Sequence, residues 1–540
     1  MQEVQKPIYF SEPFDEETPT NWQSYLPVAF AVGGAILIAG LRIQMGGERF
    51  IADGALMMLA LACYLIAAAF QLTNLYAPSR MAQQIGLWTT TIGVFFNLAS
   101  WLVRWVAAHD RELAILERNG HGEMPWVWRY IPFANLYDYS IAFAFGAGLT
   151  TLLIAHRKNY NFLGAFSLPV AALVLMLARF IGDEFIDLPP VLDSYWRPIH
   201  VGCASLSYGV ALVCFAIAVA YLLKEGLKTE IMAIWTSIFA LLIFATVSKF
   251  SVFTTGAYNA SILLPLPNGR NMSTILRFEL PFVGTALIVA GVLLVGVIGC
   301  FFAYLSQKDE KFRNIGHWLL KVAFVAQITG VLLYVWQVKS STGIKWLLNE
   351  QINRDPAQLT VLGKWLLESE GFQAEQIAQI PANQIHNVGN DFFWQNSDTF
   401  FLSLKANPVE FSALVTGLAA TMFVLIFSFR TEKLREALPS LQKLDNLMYV
   451  TASFAFAGLA ILLITGAVWA NESWGRYWGW DSKETGAFVA WLTYGAFLHT
   501  RISRGWSGRS SAYFAIVGFL LVIFTYLGVS YLLPGLHSYA

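Results

Sequence analysis

The chain has 540 residues, of which 56% are hydrophobic and only 13% are charged, and its formal net charge is zero. A set of soluble domains cannot bury that share of apolar side chains, whereas a lipid bilayer accepts it, so composition excludes the three or four soluble domains that length alone suggests. The zero net charge gives no electrostatic basis for binding nucleic acid. The composition therefore predicts a polytopic membrane protein.

Two features exclude secretory processing and cysteine chemistry. Residues 1–23 are acidic and polar, without the basic segment that opens a cleaved signal peptide, so we expect the first apolar run to be retained. The four cysteines all lie in apolar runs and form no CxxC pair: Cys63, Cys203, Cys214 and Cys300. A disulfide framework, a zinc site and a thiol oxidoreductase are therefore not expected.

Apolar runs near 20 residues long recur along the chain, and each is long enough to cross about 30 Å of hydrocarbon. They predict an all-α fold with about 13 transmembrane helices. Loops rich in Lys and Arg alternate with the spans and define the cytoplasmic side. Arg42 and Arg49 fit this topology less well, because they fall on the outer side. The predicted spans are 25–43, 53–73, 86–107, 135–155, 162–181, 200–223, 231–252, 280–305, 318–336, 409–429, 447–470, 484–502 and 511–533.

Two long outer segments lie in the middle of the chain. Residues 253–279 contain Pro265, Pro267 and Asn268-Gly269, which are typical of turns rather than of a domain. Residues 338–408 mix helical periodicity with polar turns and are predicted to form a small cap on the outer face. The chain has no G-x-G-x-x-G or P-loop motif, so nucleotide chemistry has no support.

The segment from Asn471 to His499 is the most unusual in the sequence. Four tryptophans surround one short polar turn, residues 474–484, which we call the tryptophan turn: Trp469, Trp474, Trp478 and Trp480. An aromatic belt at the membrane interface explains two or three such rings. A tryptophan every two to four residues, interleaved with glycines and charges, instead favours a large planar ligand at the outer edge of the membrane.

The tryptophan turn also carries a recognisable pattern, W-G-x-Y-W-x-W-D-x-K-E-T, at residues 474–485. It resembles the WWD signature of haem-handling proteins. The flanking words narrow the resemblance to the CcsA/ResC membrane subunit of the system II cytochrome c synthase. Ser482 replaces a common proline and Gly486 a common tryptophan, but neither position supplies a ligand. The words are PFANLYDY (132–139), SYWRPIHVGCASLSYG (194–209), LDNLMYV (444–450), GAVWANESWGRYWGWDSKET (466–485), FLHTR (497–501) and LLPGLHSYA (532–540).

The resemblance covers less than half of the chain and divides it into four parts. Residues 1–130 form N-terminal membrane helices, and residues 131–224 carry the first matching segment. Residues 225–443 resemble an insertion with four extra spans, which includes the outer segment 338–408. Residues 444–540 form the WWD haem-handling region with the C-terminal helices.

Three of the eight histidines are candidate haem-iron ligands, while the others lie among charges in loops or at span ends. His200 and His537 lie on the same outer face as the tryptophan turn, so a bis-imidazole iron site there is plausible. The resemblance places the family's two outer ligands on these residues. His499 lies about 22 Å along its helix from Glu484. It either snorkels beside Arg501 or, as the resemblance implies, binds haem within the membrane.

The resemblance also implies a platform for the haem. Its candidate residues are Trp474, Tyr477, Trp478, Trp480 and Asp481. The charges of the turn leave two interpretations open. Either they pair internally at a helix start, where Glu484 favours the dipole, or Lys483 or Arg476 meets a haem propionate. Asn135, Tyr137 and Asp138, at the outer start of the fourth span, are expected to form a wall beside this platform.

The function that the resemblance implies is haem delivery. Haem b would enter at His499, move to the outer face and be joined covalently to the CxxCH segment of apocytochrome c. The chain would be a holocytochrome c synthase (haem lyase) component with no catalytic residue of its own, because the reacting thiols belong to the substrate. The second intramembrane ligand would come from a CcsB/ResB-like partner. The expected location is a bacterial plasma membrane, with a thylakoid as the alternative.

Three other functions remain open from the sequence. The first is a WWD haem chaperone or lyase component of the system I pathway, which the LHSYA terminus and the HTR triplet after the span disfavour. The second is a secondary transporter, although we find no inverted repeats. The third is an electron-transfer subunit with bis-histidine haem, which needs a second intramembrane histidine facing His499.

Overall fold

The chain folds into two compact units, formed by residues 1–227 with 430–540 and by residues 228–429. The second unit is therefore one continuous segment, and the first is built from the chain on either side of it. The computed structural model describes residues 22–118, 120, 130–155, 160–183, 185, 190–247, 258–265, 271–280, 282–339, 352–353, 355–396 and 408–529. His537 and the word LLPGLHSYA lie outside the described residues.

The first half of the first unit contains six long helices. Helix α6 is its central element, because 83% of its most apolar window is buried, against 17% for α1. Helix α3 has 39 residues and is about 58 Å long, so it extends well past the predicted span 86–107. The helices are α1 Leu26–Met45, α2 Asp53–Tyr76, α3 Arg80–Arg118, α4 Leu136–Ala155, α5 Leu163–Ile181 and α6 Trp196–Glu225.

Charges on α2, α3 and α4 are paired inside the unit. Arg104 of α3 is fully buried, binds the carboxylate of Asp138 through its Nε, and lies 3.4 Å from the carboxylate of Asp53. The hydroxyl of Tyr137 donates to the same Asp53 carboxylate at 3.0 Å. Tyr137 and Asp138 are therefore buried structural residues. The predicted wall beside the platform is wrong for these two residues, because the wall needed accessible side chains and Arg104 holds theirs in the interior.

The outer arginine that fitted the predicted topology poorly is neutralised. Arg42, near the end of α1, is only 6% exposed, and its guanidinium lies 2.8 Å from the carboxylate of Asp110 on α3. The ion pair neutralises Arg42 within the first unit, and the side of the membrane on which Arg42 lies stays a prediction.

The second unit combines membrane-type helices, a hairpin and a small helical group. Strands β1 and β2 pair antiparallel from Tyr258–Leu280 to Pro265–Asn271. The helical group packs around Leu367, Ile377 and Ile385. The elements are α7 Thr229–Val247, β1 Tyr258–Pro265, β2 Asn271–Leu280, α8 Val283–Gln307, α9 Glu310–Lys339, α10 Ala357–Ser369, α11 Ala374–Ala378, α12 Ala382–Asn396 and α13 Pro408–Ser428.

The hairpin corrects the prediction of turns over residues 253–279. In the sequence, Pro267 and Asn268-Gly269 fall between the two strands and outside the described residues, while Pro265 is the last residue of β1. The strands carry several apolar side chains but only three β-branched residues, Ile262, Thr274 and Ile275, so their strand pattern is weak. The turn signals outweighed that pattern in the sequence interpretation.

The first unit is completed by four helices near the C-terminus. Helix α17 continues into a π-helical turn at Phe524–Gly528. Arg435 of α14 ties this half to the end of α6, because its guanidinium donates to the carbonyls of Leu223 and Leu227 at 2.9 and 3.0 Å. Lys224 donates in return to the carbonyl of Arg435 at 2.6 Å. The helices are α14 Thr431–Ala437, α15 Leu441–Trp474, α16 Ser482–Arg504 and α17 Arg509–Ile523.

The helices confirm an all-α polytopic membrane protein that also carries the hairpin. In the described part of the chain, ten helices are long and apolar enough to span a membrane, or eleven when the bent pair Ala413–Ser428 and Thr431–Ala437 counts as one span. Each of the 13 predicted spans overlaps a described helix. The spans near 231–252 and 484–502 are not among the ten, because α7 has a shorter apolar stretch and α16 is polar at both ends.

Candidate functional site

The tryptophan turn is held by its own backbone and carboxylates. Helix α15 ends at Trp474 and is capped by Gly475, whose φ of +71° is left-handed and suits glycine. Helix α16 then begins with a capping box in which Asp481 accepts from the amide of Lys483 at 3.0 Å. Glu484 accepts from the amides of Gly479 and Asp481 at 2.8 and 3.2 Å. Asp481 and Glu484 therefore order the turn through backbone amides.

The ammonium group of Lys483 has a different environment. Burial lowers the pKa of Lys483 to about 8, although the nearby Asp481 carboxylate acts in the opposite direction. The carboxylates of Asp481 and Glu484 already accept backbone amides, as described above. Lys483 thus brings a poorly solvated positive charge to the first turn of α16, while Arg476, in the tryptophan turn, is exposed.

The turn begins a chain of aromatic rings that follows α16 into the membrane. Trp478 lies 5.6 Å from Trp480 and 6.1 Å from Phe488, with edge-to-face geometry. Phe488 is stacked 5.9 Å from Trp491, which is stacked 5.3 Å from Phe456 of α15. Phe488 and Phe456 were not among the predicted site residues. The spacing of Phe488 three residues before Trp491, on one helix face, was the available signal.

The outermost rings are also the most accessible. Trp480 is 68% exposed and Tyr477 is 61% exposed. Trp480 has a positive φ of +55°, which few non-glycine residues adopt, so the turn holds this ring in a costly backbone conformation. Trp474 ends α15 and is partly buried. The predicted platform residues therefore lie on one turn, with two aromatic side chains presented outward.

Several polar groups near these rings are buried and lack a hydrogen-bond partner among the described residues. They are the indole N–H groups of Trp469, Trp478 and Trp491 and the hydroxyl of Ser473. Unpaired buried donors are rare in native proteins, and each normally has an explanation. A bound molecule with oxygen acceptors is one such explanation.

His200 is fixed against α15 by its neighbours. Its Nδ1 lies 2.9 Å from the carbonyl oxygen of Leu462, and its ring centroid lies 5.7 Å from that of Trp469. A carbonyl can only accept, so Nδ1 carries the proton that it donates in this bond. Metal-binding histidines are typically oriented by such a bond. Leu462 and Trp469 were not predicted as parts of this site.

His499 lies in a much more open place. It is exposed on α16, and its Nδ1 lies 3.5 Å from the hydroxyl of Ser503, one turn along the same helix. An apolar groove of about 560 Å³ lies between α16 and α17, and Ala496 in its wall is one turn from His499. The neighbouring Arg501 binds Asp445 through both guanidinium nitrogens at 2.9 and 2.6 Å, and the two interpretations of His499, snorkelling or haem binding, both stay open.

The structure thus brings the turn residues together and orients His200 and His499 differently. The second predicted outer ligand, His537, falls beyond the described residues and stays a prediction. In the part of the chain that the structure describes, no three His, Cys, Asp or Glu side chains cluster as a metal site.

Comparison with known proteins identifies a family that matches this chain. A family model described as cytochrome C assembly protein matches residues 133–306 and 409–537. The break at 307–408 is narrower than the segment 225–443 that the sequence resemblance set apart, and it falls within the second unit. The matched residues make up more than half of the chain.

Curated relatives match shorter parts of the chain. A protein named cytochrome c biogenesis protein CcsA from one strain of Prochlorococcus marinus is 55% identical over 98 residues, 18% of this chain and 31% of the relative. CcsA from another strain of that organism, MIT 9301, is 46% identical over 137 residues, 25% and 44%. CcsA from Guillardia theta is 54% identical over 99 residues, 18% and 33%. The chain therefore matches less than half the length of each of these relatives.

Proposed function

The chain belongs to the cytochrome c assembly protein family, and from that membership we propose that it delivers haem b across the membrane and presents it for covalent attachment to apocytochrome c. One observation carries the proposal. His200 of α6 packs in a fixed orientation against α15, and the exposed tryptophan turn follows at the end of α15. The chain acts as a holocytochrome c synthase component, in an integral membrane setting.

Haem fits the residues of the outer site. Its iron takes imidazole nitrogens axially, and His200 offers Nε2, with His537 as the proposed opposite ligand. Its porphyrin face suits Trp474, Tyr477, Trp478 and Trp480, while Asp481 orders the turn beneath them. The propionate oxygens are acceptors for Lys483, Arg476 or the unpaired indole N–H groups.

The attachment chemistry needs no nucleophile from this chain. Each thiol of the substrate's CxxCH segment adds across one vinyl group of haem, with sulfur bonding to one vinyl carbon and the proton going to the other. The atoms and electrons balance without an external oxidant or reductant. This chain's contribution is orientation, because holding the vinyl edge toward the thiols removes much of the entropic barrier.

His499 is proposed as the intramembrane ligand on the path to the outer site. Its imidazole is exposed and the adjacent groove of about 560 Å³ is apolar. A haem bound there needs a second axial ligand, which we assign to a CcsB/ResB-like partner chain. We propose a bacterial plasma membrane as the location, with a thylakoid as the alternative, and the outer face as the attachment side.

The test is reconstitution in bacterial cells that lack their own cytochrome c maturation system. The chain is expressed with a CcsB/ResB-like partner and a reporter apocytochrome c with one CxxCH segment. We expect haem that stays on the reporter through denaturing gel electrophoresis, and no such haem when the partner is omitted. A reporter with CxxCH changed to AxxAH is the control.

Two outcomes would contradict parts of the proposal. Covalent haem on the reporter without any partner would show that this chain completes the inner site itself. Failure of attachment with the partner present, while both membrane proteins accumulate and bind haem, would leave haem binding in place and remove the synthase activity.

A further inference from the structure

Helix α15 approaches α6 closely along one stripe. Gly458, Leu462 and Gly466 recur every four residues on the α15 face that meets α6. A Cβ at Gly458 would overlap the Ser207 hydroxyl, and a Cβ at Gly466 would meet the His200 ring. His200 and Ser207 are seven residues, about two turns, apart on α6, which runs antiparallel to α15. The two glycines therefore face two side chains on the same side of α6.

The imidazole of His200 lies in the space that Gly466 leaves open. A Cβ built on Gly466 would lie 2.6 Å from Cε1 of the ring and 2.9 Å from Nδ1. Real Cβ atoms are not found that close to other atoms, and both contacted atoms belong to a ring with no soft end. Any side chain at this position must therefore displace the imidazole or separate the helices.

The carbonyl of Leu462 sets the orientation that this space allows. It lies 2.9 Å from Nδ1 of His200 and fixes the proton on that nitrogen. Gly466 lies one turn further along the same helix, so the bond and the space come from one piece of backbone. Together they allow one tautomer and one ring position.

We propose that Gly466 and the Leu462 carbonyl are the positioning elements that aim Nε2 of His200 at haem iron. The proposal rests on the proposed role of His200 as an outer haem ligand. Neither element touches the substrate. Their effect is transmitted through the ring of His200, as outer-shell partners of metal-binding histidines transmit theirs.

The test compares Gly466→Ala with Gly458→Ala. Both changes add one methyl group to the same helix stripe, and both meet α6 at close range, but only the first meets the imidazole. We expect Gly466→Ala to lower haem retention and reporter maturation by roughly 10–100-fold, the range seen for outer-shell partners, with loss of the low-spin bis-imidazole absorption spectrum. Gly458→Ala should keep that spectrum.

A second pair of variants separates positioning from packing. In a His200→Ala background supplied with free imidazole, adding Gly466→Ala should cause no further loss, because untethered imidazole does not need the space beside Gly466. If Gly466→Ala alone fails to accumulate, its abundance should recover in the His200→Ala double variant, since the displaced ring is gone.

Three results would overturn the positioning role. They are normal maturation by Gly466→Ala, an equal loss in Gly458→Ala, and an equal further loss in the His200→Ala background. Normal maturation by His200→Ala would instead remove the outer ligand on which the proposal rests, so the two failures are distinguishable.

Discussion

Two of the candidate ligands, His200 and His499, lie among the described residues, and their environments differ. His200 is partly buried, hydrogen-bonded to a helix carbonyl and packed against a glycine and a tryptophan. His499 is exposed, and its polar contact to Ser503 is long, at 3.5 Å. The imidazole of His200 is thus fixed by several contacts, whereas that of His499 has one long polar contact and an exposed surface.

This difference indicates which of the two proposed haem ligands the chain positions without a partner. An imidazole whose tautomer and ring plane are already fixed loses little freedom on binding a metal, whereas a mobile one must be ordered by what binds it. We infer that the outer ligand is prepared by this chain and that the inner ligand is ordered by haem and a partner. Four predictions test this contrast, from the largest expected effect to the smallest.

The largest effect is expected from His200→Ala. It should abolish covalent haem attachment, because one axial position of the outer site is lost. Free imidazole should restore part of the activity by filling that position. The measurement is haem on the reporter cytochrome beside the abundance of the chain in the membrane.

His386→Ala is the control for His200→Ala, since its imidazole contacts Thr360 in the second unit at 3.2 Å. Maturation at the wild-type level by His200→Ala would show that the outer site is misassigned. Loss of activity in His386→Ala would show that any missing histidine damages the protein.

The next largest effect concerns the aromatic platform. Replacing Trp478 and Trp480 together with Ala should strip most haem from the purified protein, because stacking beyond area burial is worth about 0.5–1.5 kcal/mol per aromatic pair. The matched control is Trp318→Ala with Trp336→Ala, whose rings are 62% and 65% exposed, close to the 68% of Trp480. Haem per polypeptide is measured by pyridine haemochrome. Equal haem loss in both pairs would favour an aromatic belt.

A several-fold effect is expected at Lys483. Lys483→Met should weaken haem retention by removing the cation, and Lys483→Arg should preserve it. Because burial lowers the pKa of Lys483 to about 8, wild-type retention should fall as pH rises through that value, where the ammonium loses its proton. The arginine variant stays charged and should not show the fall. A pH profile that is the same for all three proteins would remove Lys483 from the site.

The smallest effect on haem is expected at Asp445, beside the inner site. Asp445→Asn breaks the double hydrogen bond with Arg501, whose partners have side chains only 9% and 15% exposed. Unfolding free energy should drop by about 1–3 kcal/mol, less than the 3–5 typical of fully buried pairs, while maturation persists. If maturation persists in Asp445→Asn, the exposure of His499 comes from its position on the surface of α16 and does not depend on the pair of Asp445 with Arg501.

The control for Asp445→Asn breaks an exposed pair at the same end of the unit. Glu225→Gln removes the 2.9 Å contact with Arg509, whose side chain is 52% exposed, and should cost much less stability than Asp445→Asn, because solvent screens an exposed pair. Thermal unfolding in detergent measures both variants. Equal stability losses would mean that Asp445 and Arg501 do not brace the inner end.

The sequence predicted the parts of the fold that depend on local pattern. The 13 apolar runs all coincide with helices over their described residues, because hydrophobic length is read directly from consecutive residues. The polar extension of α3 beyond residue 107 was missed, since hydropathy does not report a helix that leaves the bilayer. The hairpin was missed because its turn residues masked the strand pattern on either side.

Contacts between distant residues could not be predicted in the same way. His200 and Leu462 are 262 residues apart, and nothing local to either indicates their hydrogen bond. Arg104 and Asp138 similarly find each other across two helices. The capping box at Asp481 and Glu484 could have been predicted, because an Asp followed three residues later by a Glu at the start of a helix is its signature. The candidate ligands could be named from the sequence, but not how firmly each is held.

The contact of Arg435 with the end of α6 has a consequence for engineering the gene. Its hydrogen bonds to Leu223 and Leu227 hold the chain just before residue 228 next to the chain just after residue 429. A splice that joins these two points with a short flexible linker would leave every bond of that contact in place. We therefore expect the chain ends on either side of the second unit to stay adjacent when the segment between them is exchanged for a linker.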